Sequence, residues 1–281
     1  MQSNIKGQGL ITLTTDFGTA DWFVGTMKGV ILRINPRATL VDISHEIPAG
    51  DVRAGALALR ASYRFFPAKT VHLVVVDPGV GSARSGLVIE TEDCLFVGPD
   101  NGVLSWALIG QKVQAVHRLE NEKLFLRPVS QTFHGRDIFG PAAAHLSAGV
   151  PCSALGPKQP KWQKLHWPIA KRQGDAICGQ VIYIDRFGNA ITNLDEEACG
   201  FARSTAGACL VGRVRCPLGE FYGAVPLGRP VGVWGSSGFL EIAVNGDNAA
   251  RRLGLKVGST VKFFPKPVLC RGLRSGGEGR A

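Results

Sequence analysis

Three short apolar runs alternate with two helical patterns within the first 76 residues, and that alternation leaves few folds open. Leu10–Thr15 (LITLTT), Thr39–Ser44 and His72–Val76 have the length and β-branched content of strands. Between the first two, Phe23, Met27, Val30, Ile31 and Ile34 fall on one face at helical spacing from about Asp21, and Asn35–Pro36 stops that helix. Asp51–Phe65 is Ala- and Leu-rich and closes at Pro67. Strand, helix, strand, helix, strand at these spacings predicts right-handed crossovers and a parallel sheet.

Farther along, Gly86–Glu90, Cys94–Val97 and Gln114–Leu119 read as strands, Asp100–Leu108 as a short helix and Asp137–Ala148 as a longer one. After Asp175 the pattern changes to short strand-like runs: Ile177–Ile184, Ala190–Asn193, Ala208–Val214, Val231–Trp234, Leu240–Val244 and Thr260–Phe264. One short helix is expected at Asn248–Leu255. Many short strands with a single helix predict a compact, mostly-β, barrel-like domain. The expected organisation is an α/β domain with a mainly parallel sheet at 1–150, a linker at 151–174, a smaller β-barrel domain at 175–265 and a basic tail at 266–281. No internal repeat is present.

A net charge of +10 raises the question of nucleic acid. The excess sits in Lys158–Arg172 and in the tail after Val261, both rich in Pro or Gly and without the strand-borne aromatics of an RNA-binding sheet. These read as solvated segments, so no nucleic-acid partner is expected. No apolar run reaches the roughly 18 residues of a membrane span, and the polar N-terminus shows no secretory signal. Seven scattered cysteines without a CxxC pair argue against a disulfide framework and a zinc site. The expectation is a cytoplasmic protein with no metal and no cofactor.

The stretch His72–Arg84 (HLVVVDPGVGSAR) runs from a buried strand into an acid, a proline, two glycines and an arginine. In an open α/β sheet, ligands bind at the carboxyl edge of the strands, where Asp77 and Arg84 would sit. An Asp–Pro turn is ordinary there, and one Asp with one Arg is more often a surface pair. A second stretch, Phe133–Phe139 (FHGRDIF), sets a His, an Arg and an Asp between aromatic residues and shifts the balance toward function. Gly79 and Gly81 supply the start of a GxGxxG pattern, but Arg84 occupies the third position and a strand follows, which excludes a dinucleotide loop.

Asp16 lies at the carboxyl end of the first strand, where a carboxylate can accept two hydrogen bonds from a vicinal diol such as a ribose. Asp21 suits either that site or the start of the helix, as a cap. Asp185–Asn189 (DRFGN) and Trp234–Phe239 (WGSSGF) are polar or small-residue turns between apolar strands. A plain hairpin needs the glycine of DRFGN but not Asp185, Arg186 and Phe187 together. His45 lies at another strand end, while His72, His117, His145 and His166 have no companions that suggest chemistry.

Six motifs follow one another in a specific order: Thr14–Gly18, Asp77–Gly81 with Arg84, Gly98–Gly102, Phe133–Asp137, Asp185–Asn189 and Ser236–Gly238. In these the chain resembles the SAM hydroxide adenosyltransferases, the adenosine-forming S-adenosyl-L-methionine hydrolases, relatives of the bacterial fluorinase and chlorinase. The match spans about Leu10 to Phe264. The resemblance implies an α/β N-terminal domain, a β-barrel C-terminal domain and a homotrimer with active sites between neighbouring subunits. It also implies that Asp77, Arg84 and His134 surround the attacking water, and that Asp16 binds the ribose hydroxyls. Asp21, Asp185 and Ser236 would take the methionine amino and carboxylate groups, and Asn189 the adenine, with Phe187 and Tyr222 lining its pocket. The halide-using relatives carry other residues at the position of Asp77. Gly223–Ala224 departs from the family's small residue and Asp before Val-Pro, and Ser237 replaces a halogenase-like Arg.

The expected reaction is hydrolysis of S-adenosyl-L-methionine to adenosine and L-methionine, without a metal. The sulfonium leaves as a neutral thioether, so what remains is to align a water behind the ribose C5′, an effect that can remove ~7–11 kcal/mol of barrier. Asp77 and His134 are the candidate proton acceptors and Arg84 the group that stabilises a hydroxide-like oxygen. Which of them is the base is open at this point. The alternatives are a halide-dependent 5′-halo-5′-deoxyadenosine synthase and a low-turnover binding protein for S-adenosylmethionine or adenosine.

Overall fold

The computed structural model describes residues 9–199 and 206–265, so the tail expected at 266–281 lies outside the described residues. The chain divides between Trp167 and Pro168 into two compact units.

In the first unit β1 (Leu10–Thr15), α1 (Phe23–Ile34), β2 (Thr39–Ser44), α2 (Val52–Ser62) and β3 (Val71–Val75) follow in the expected alternation. β1 pairs in parallel with both β2 and β3. Helix α1 carries Gly25 and Gly29 on its outer side, each costing ~1 kcal/mol against alanine. Burial of Val24, Met27 and Ile31, at ~1.5–3 kcal/mol each, outweighs that cost. Helix α2 starts at Asp51, whose carboxylate accepts the Ala54 amide at 2.9 Å.

The sheet continues through β4 (Gly86–Thr91), β5 (Leu95–Pro99) and β6 (Val113–Arg118) in the order β2-β1-β3-β5-β4-β6. β5 is parallel to β3, whereas β4 runs antiparallel to β5 and β6. The three-residue link from β4 to β5 is too short for a crossover, so the sheet is mixed with a parallel majority.

Two expected helices differ. Asp100–Leu108 is a series of turns, because the Asn101 side chain spends its groups on the Val76 carbonyl and the Val103 amide. The helix expected from Asp137 begins as one π-helical turn, Gly135–Phe139, before α3 (Gly140–Ser147). Pro141 has no amide to give the Asp137 carbonyl, which instead accepts the Leu126 amide at 2.9 Å. Residues 151–167, expected as linker, hydrogen-bond to the first unit: Gln159 to Val116, Leu165 to Ser105, and the Ala154 carbonyl to Asn121. Their lack of periodicity reflects bonding to other elements rather than within the segment.

The second unit is a closed barrel. Its strands are β7 (Lys171–Gln173), β8 (Ala176–Ile184), β9 (Ala190–Asp195), β10 (Gly207–Val211), β11 (Val214–Gly219), β12 (Pro230–Trp234), β13 (Phe239–Val244) and β14 (Thr260–Pro265). β14 pairs with both β10 and β8, which closes seven strands and leaves β7 as an outer edge on β8. The single strand expected at Ala208–Val214 is a hairpin, β10 and β11 turning at Gly212–Arg213. The expected helix shortens to Ala249–Leu253, capped by Asn248, whose side chain accepts the Arg251 amide at 2.8 Å. Ile177, Val181, Leu194, Leu240, Ile242 and Phe263 fill the barrel interior.

Candidate active site

Beyond β3 the chain turns twice, with the Val80 amide bonded to the Asp77 carbonyl and the Ser82 amide to the Gly79 carbonyl. Gly81 makes this possible. It has φ +78°, and a Cβ there would come 2.4 Å from the Gln131 carbonyl oxygen, so only glycine lets the loop rest against residues 130–134. The result brings Asp77, Arg84 and His134 together. Arg84 Nε donates to both Asp77 carboxylate oxygens at 2.9 Å, and Nη2 reaches Oδ2 as well. The same Nη2 donates to His134 Nδ1 at 2.7 Å. The guanidinium also lies over the Phe139 ring, 5.1 Å from its centroid.

These groups are nearly dry, with the Arg84 and Asp77 side chains 11% and 5% exposed and His134 8% exposed. Burial and the Arg84 cation hold the His134 imidazole below its ordinary pKa, against the opposing pull of Asp77 and Asp137. His134 is therefore neutral at pH 7.

Asp16 follows Thr15, which lies opposite Val75 in the β1–β3 register, so Asp16 and Asp77 share one sheet edge. Asp16 Oδ2 accepts the Gly50 amide at 2.8 Å. Phe17 and Phe23 both pack on Phe133, at 5.8 and 5.3 Å between ring centroids, tying this edge to the segment that carries His134. Asp21 is exposed and does not cap α1, whose N-cap position is Trp22 without a side-chain bond. His45 is buried, with Nδ1 2.8 Å from Thr15 Oγ1 and Nε2 3.1 Å from Asp42, and braces the end of β1.

In the second unit Asp185, Phe187, Asn189, Tyr222 and Ser236 line one cavity of about 880 Å³. The β8–β9 turn is a hairpin in which the Asp185 carboxylate does unusual duty. It accepts the Phe187 and Asn189 amides at 2.9 and 2.8 Å and the Asn189 side-chain amide at 3.0 Å. That presents the Asn189 side chain to the cavity and leaves Phe187 76% exposed.

Sequence reasoning missed Glu241. It lines the same cavity, is 6% exposed and accepts the Tyr222 hydroxyl at 2.8 Å. Burial, with Asp185 nearby, raises its pKa against the Tyr222 hydrogen bond, and burial raises that of Tyr222. A signal was present: β13 (FLEIAV) is buried at every position, and Glu241 is its one charged residue. Among the described residues no group of three or more His, Cys, Asp or Glu is arranged to hold a metal ion, and no helix is long and apolar enough to cross a membrane.

Residues 11–156 match the model of the SAM hydroxide adenosyltransferase N-terminal domain, and residues 179–262 that of its C-terminal domain. The chain is 40% identical over 257 residues to the (R)-S-adenosyl-L-methionine hydrolase of Thermus thermophilus, covering 89% of this chain and 97% of that one. It is 34% identical to the protein of the same name from Methanocaldococcus jannaschii, covering 88% and 92%. A fluorinase from Actinoplanes sp. is more distant, at 27% identity over 91% and 97% of the two chains. Among solved structures, an uncharacterized conserved protein from Thermotoga maritima superposes with a TM-score of 0.84 at 36% identity, covering 90% of this chain and 99% of that one.

Proposed function

The chain belongs to the SAM hydroxide adenosyltransferase family, and from that premise we propose that it hydrolyses S-adenosyl-L-methionine to adenosine and L-methionine. The observation that carries this is the buried Asp77–Arg84–His134 set at the sheet edge beside Asp16. Binding alone needs neither a desolvated carboxylate nor an arginine held against it. Water attacks the ribose C5′ in line with the sulfonium. The new O–C5′ bond forms as the C5′–S bond breaks, its electron pair goes to sulfur, and the water's proton passes through the triad to solvent. Arg84 stabilises the hydroxide-like oxygen, and Asp16 holds the ribose hydroxyls.

On the second unit, Asn189 takes the adenine between Phe187 and Tyr222. Asp185 and Ser236, with Asp21 of the first unit, take the amino acid end of the substrate. The water-activating groups thus belong to an α/β domain at 1–150 and the adenine groups to a barrel domain at 175–265. We place their meeting between neighbouring subunits of a homotrimer, in the cytoplasm, with no nucleic acid or membrane partner. Light scattering that returns a monomer at micromolar concentration would break the trimer assignment.

Water rather than halide is favoured because the hydrolases are 34–40% identical to this chain and the fluorinases 25–27%. The test is chromatography after incubation with S-adenosylmethionine. Adenosine and methionine in equal amounts are expected. Absence of adenosine above a heat-killed control sinks the proposal, and 5′-chloro-5′-deoxyadenosine in high chloride replaces it with the halide reaction.

A further inference from the structure

We propose that His134 is a fixed, neutral hydrogen-bond acceptor for Arg84 rather than the group that takes the water's proton, and that Ser130 and Asp137 are positioning residues that hold it so. This rests on the assignment of Asp77, Arg84 and His134 as the water site.

A guanidinium has five donors and no acceptor. Its Nη2 lies 2.7 Å from His134 Nδ1, so that nitrogen carries no proton and accepts. A neutral ring then has its proton on Nε2. That nitrogen is then a donor with no lone pair to take a proton. The one lone pair of the neutral ring is thereby spent on Arg84.

Ser130 is itself clamped. Its amide donates to Asp137 Oδ2 at 2.8 Å, and its Oγ accepts at 3.0 Å the amide of Phe133, the residue before His134. Asp137 is wholly buried, and Arg136 Nε and Nη2 hold its carboxylate at 2.6 and 3.0 Å. Its backbone carbonyl, released by the π-helical turn, takes the Leu126 amide. The charged groups facing the ring are Arg84, Asp77 and Asp137. With the imidazole lone pair spent on Arg84, the Asp77 carboxylate is the acceptor left in the triad. The water O–H bond breaks toward Asp77 as the O–C5′ bond forms.

The experiment is nitrogen-15 NMR of the histidine rings in the full chain at pH 7, with the His134 signals assigned by their loss in His134→Gln. One protonated Nε2 and one unprotonated Nδ1 are expected. An imidazolium, or a proton on Nδ1, overturns the proposal. Asp137→Asn should mix the tautomers and lower kcat about ten- to a hundredfold with KM held. If that variant does not fold, Ser130→Ala removes the Oγ that accepts the Phe133 amide and loosens the segment that carries His134, with kcat expected to fall about three- to tenfold, the worth of one neutral hydrogen bond. Unchanged ring signals and unchanged kcat in Ser130→Ala overturn the positioning role. A wild-type chain that makes no adenosine yet shows the Nε2–H ring takes down the proposed function while the assignment of His134 stands.

Discussion

The two units solve opposite problems with their polar groups. At the sheet edge of the first unit, Asp77, Arg84 and His134 satisfy one another in near-dry surroundings and hold one another in place. The barrel cavity of the second unit takes Asp185, Phe187 and Asn189 from the β8–β9 turn and Glu241 from β13, and it leaves Phe187 exposed. Locked groups are what a transition state needs, since hydrogen bonds that require no reorganisation act fully at the moment of reaction. An exposed aromatic ring suits ground-state binding. Under the proposed function, the contrast divides chemistry from recognition along the chain.

The largest expected effect tests that division at the chemical end. Asp77→Ala removes the triad's carboxylate and should lower kcat by ~10²–10⁴ while KM moves little, as measured by adenosine release. An equal loss expressed in KM would mean that Asp77 binds substrate rather than activating water.

How much of this was legible depended on whether a residue's partners lay close by in sequence. Asp77, Arg84 and His134 stand out because Asp–Pro–Gly after an apolar strand, and FHGRD between aromatics, are unusual local text. The clamp behind His134 did not, because Ser130 and Asp137 meet only after Pro141 diverts the helix start. The same limit applies to Asp100–Leu108, where helical composition lost to the bond from Asn101 to the Val76 carbonyl, 25 residues away in sequence. β7 (KRQ) is an exposed edge strand with no apolar face to betray it. Barrel closure rests on β14 meeting β8 and β10, a pairing that no local pattern encodes.

Acid should separate the units next. His72 is buried in the first-unit sheet, bonded to Thr12 and stacked on Phe96, and burial lowers its pKa to about 4. A histidine depressed in this way binds its proton more readily in the unfolded chain. Its contribution is fully present above about 6.5 and is lost as pH falls toward 4, ~3 kcal/mol in all. Glu241 has the opposite sign. Its raised pKa makes the barrel gain as pH falls through the folded value, the benefit being complete below 4.5. Urea unfolding between pH 7 and 4.5 should show the first unit weakening while the barrel holds, and His72→Gln should flatten the first-unit slope. Equal slopes in both units would erase this contrast.

The smallest effect tests the recognition end. Asn189→Ala removes a side chain that the Asp185 carboxylate holds toward the cavity. If Asn189 binds adenine alike in the ground and transition states, its loss costs ~1–2 kcal/mol of uniform binding. KM should rise about tenfold and kcat stay within a factor of two or so. The double variant with Ser130→Ala should then be additive, because a group that positions the imidazole and a group that binds adenine share no partner. A fall in kcat for Asn189→Ala, or coupling between the two substitutions, would show that the barrel cavity takes part in aligning C5′ and that recognition and chemistry are not divided by unit.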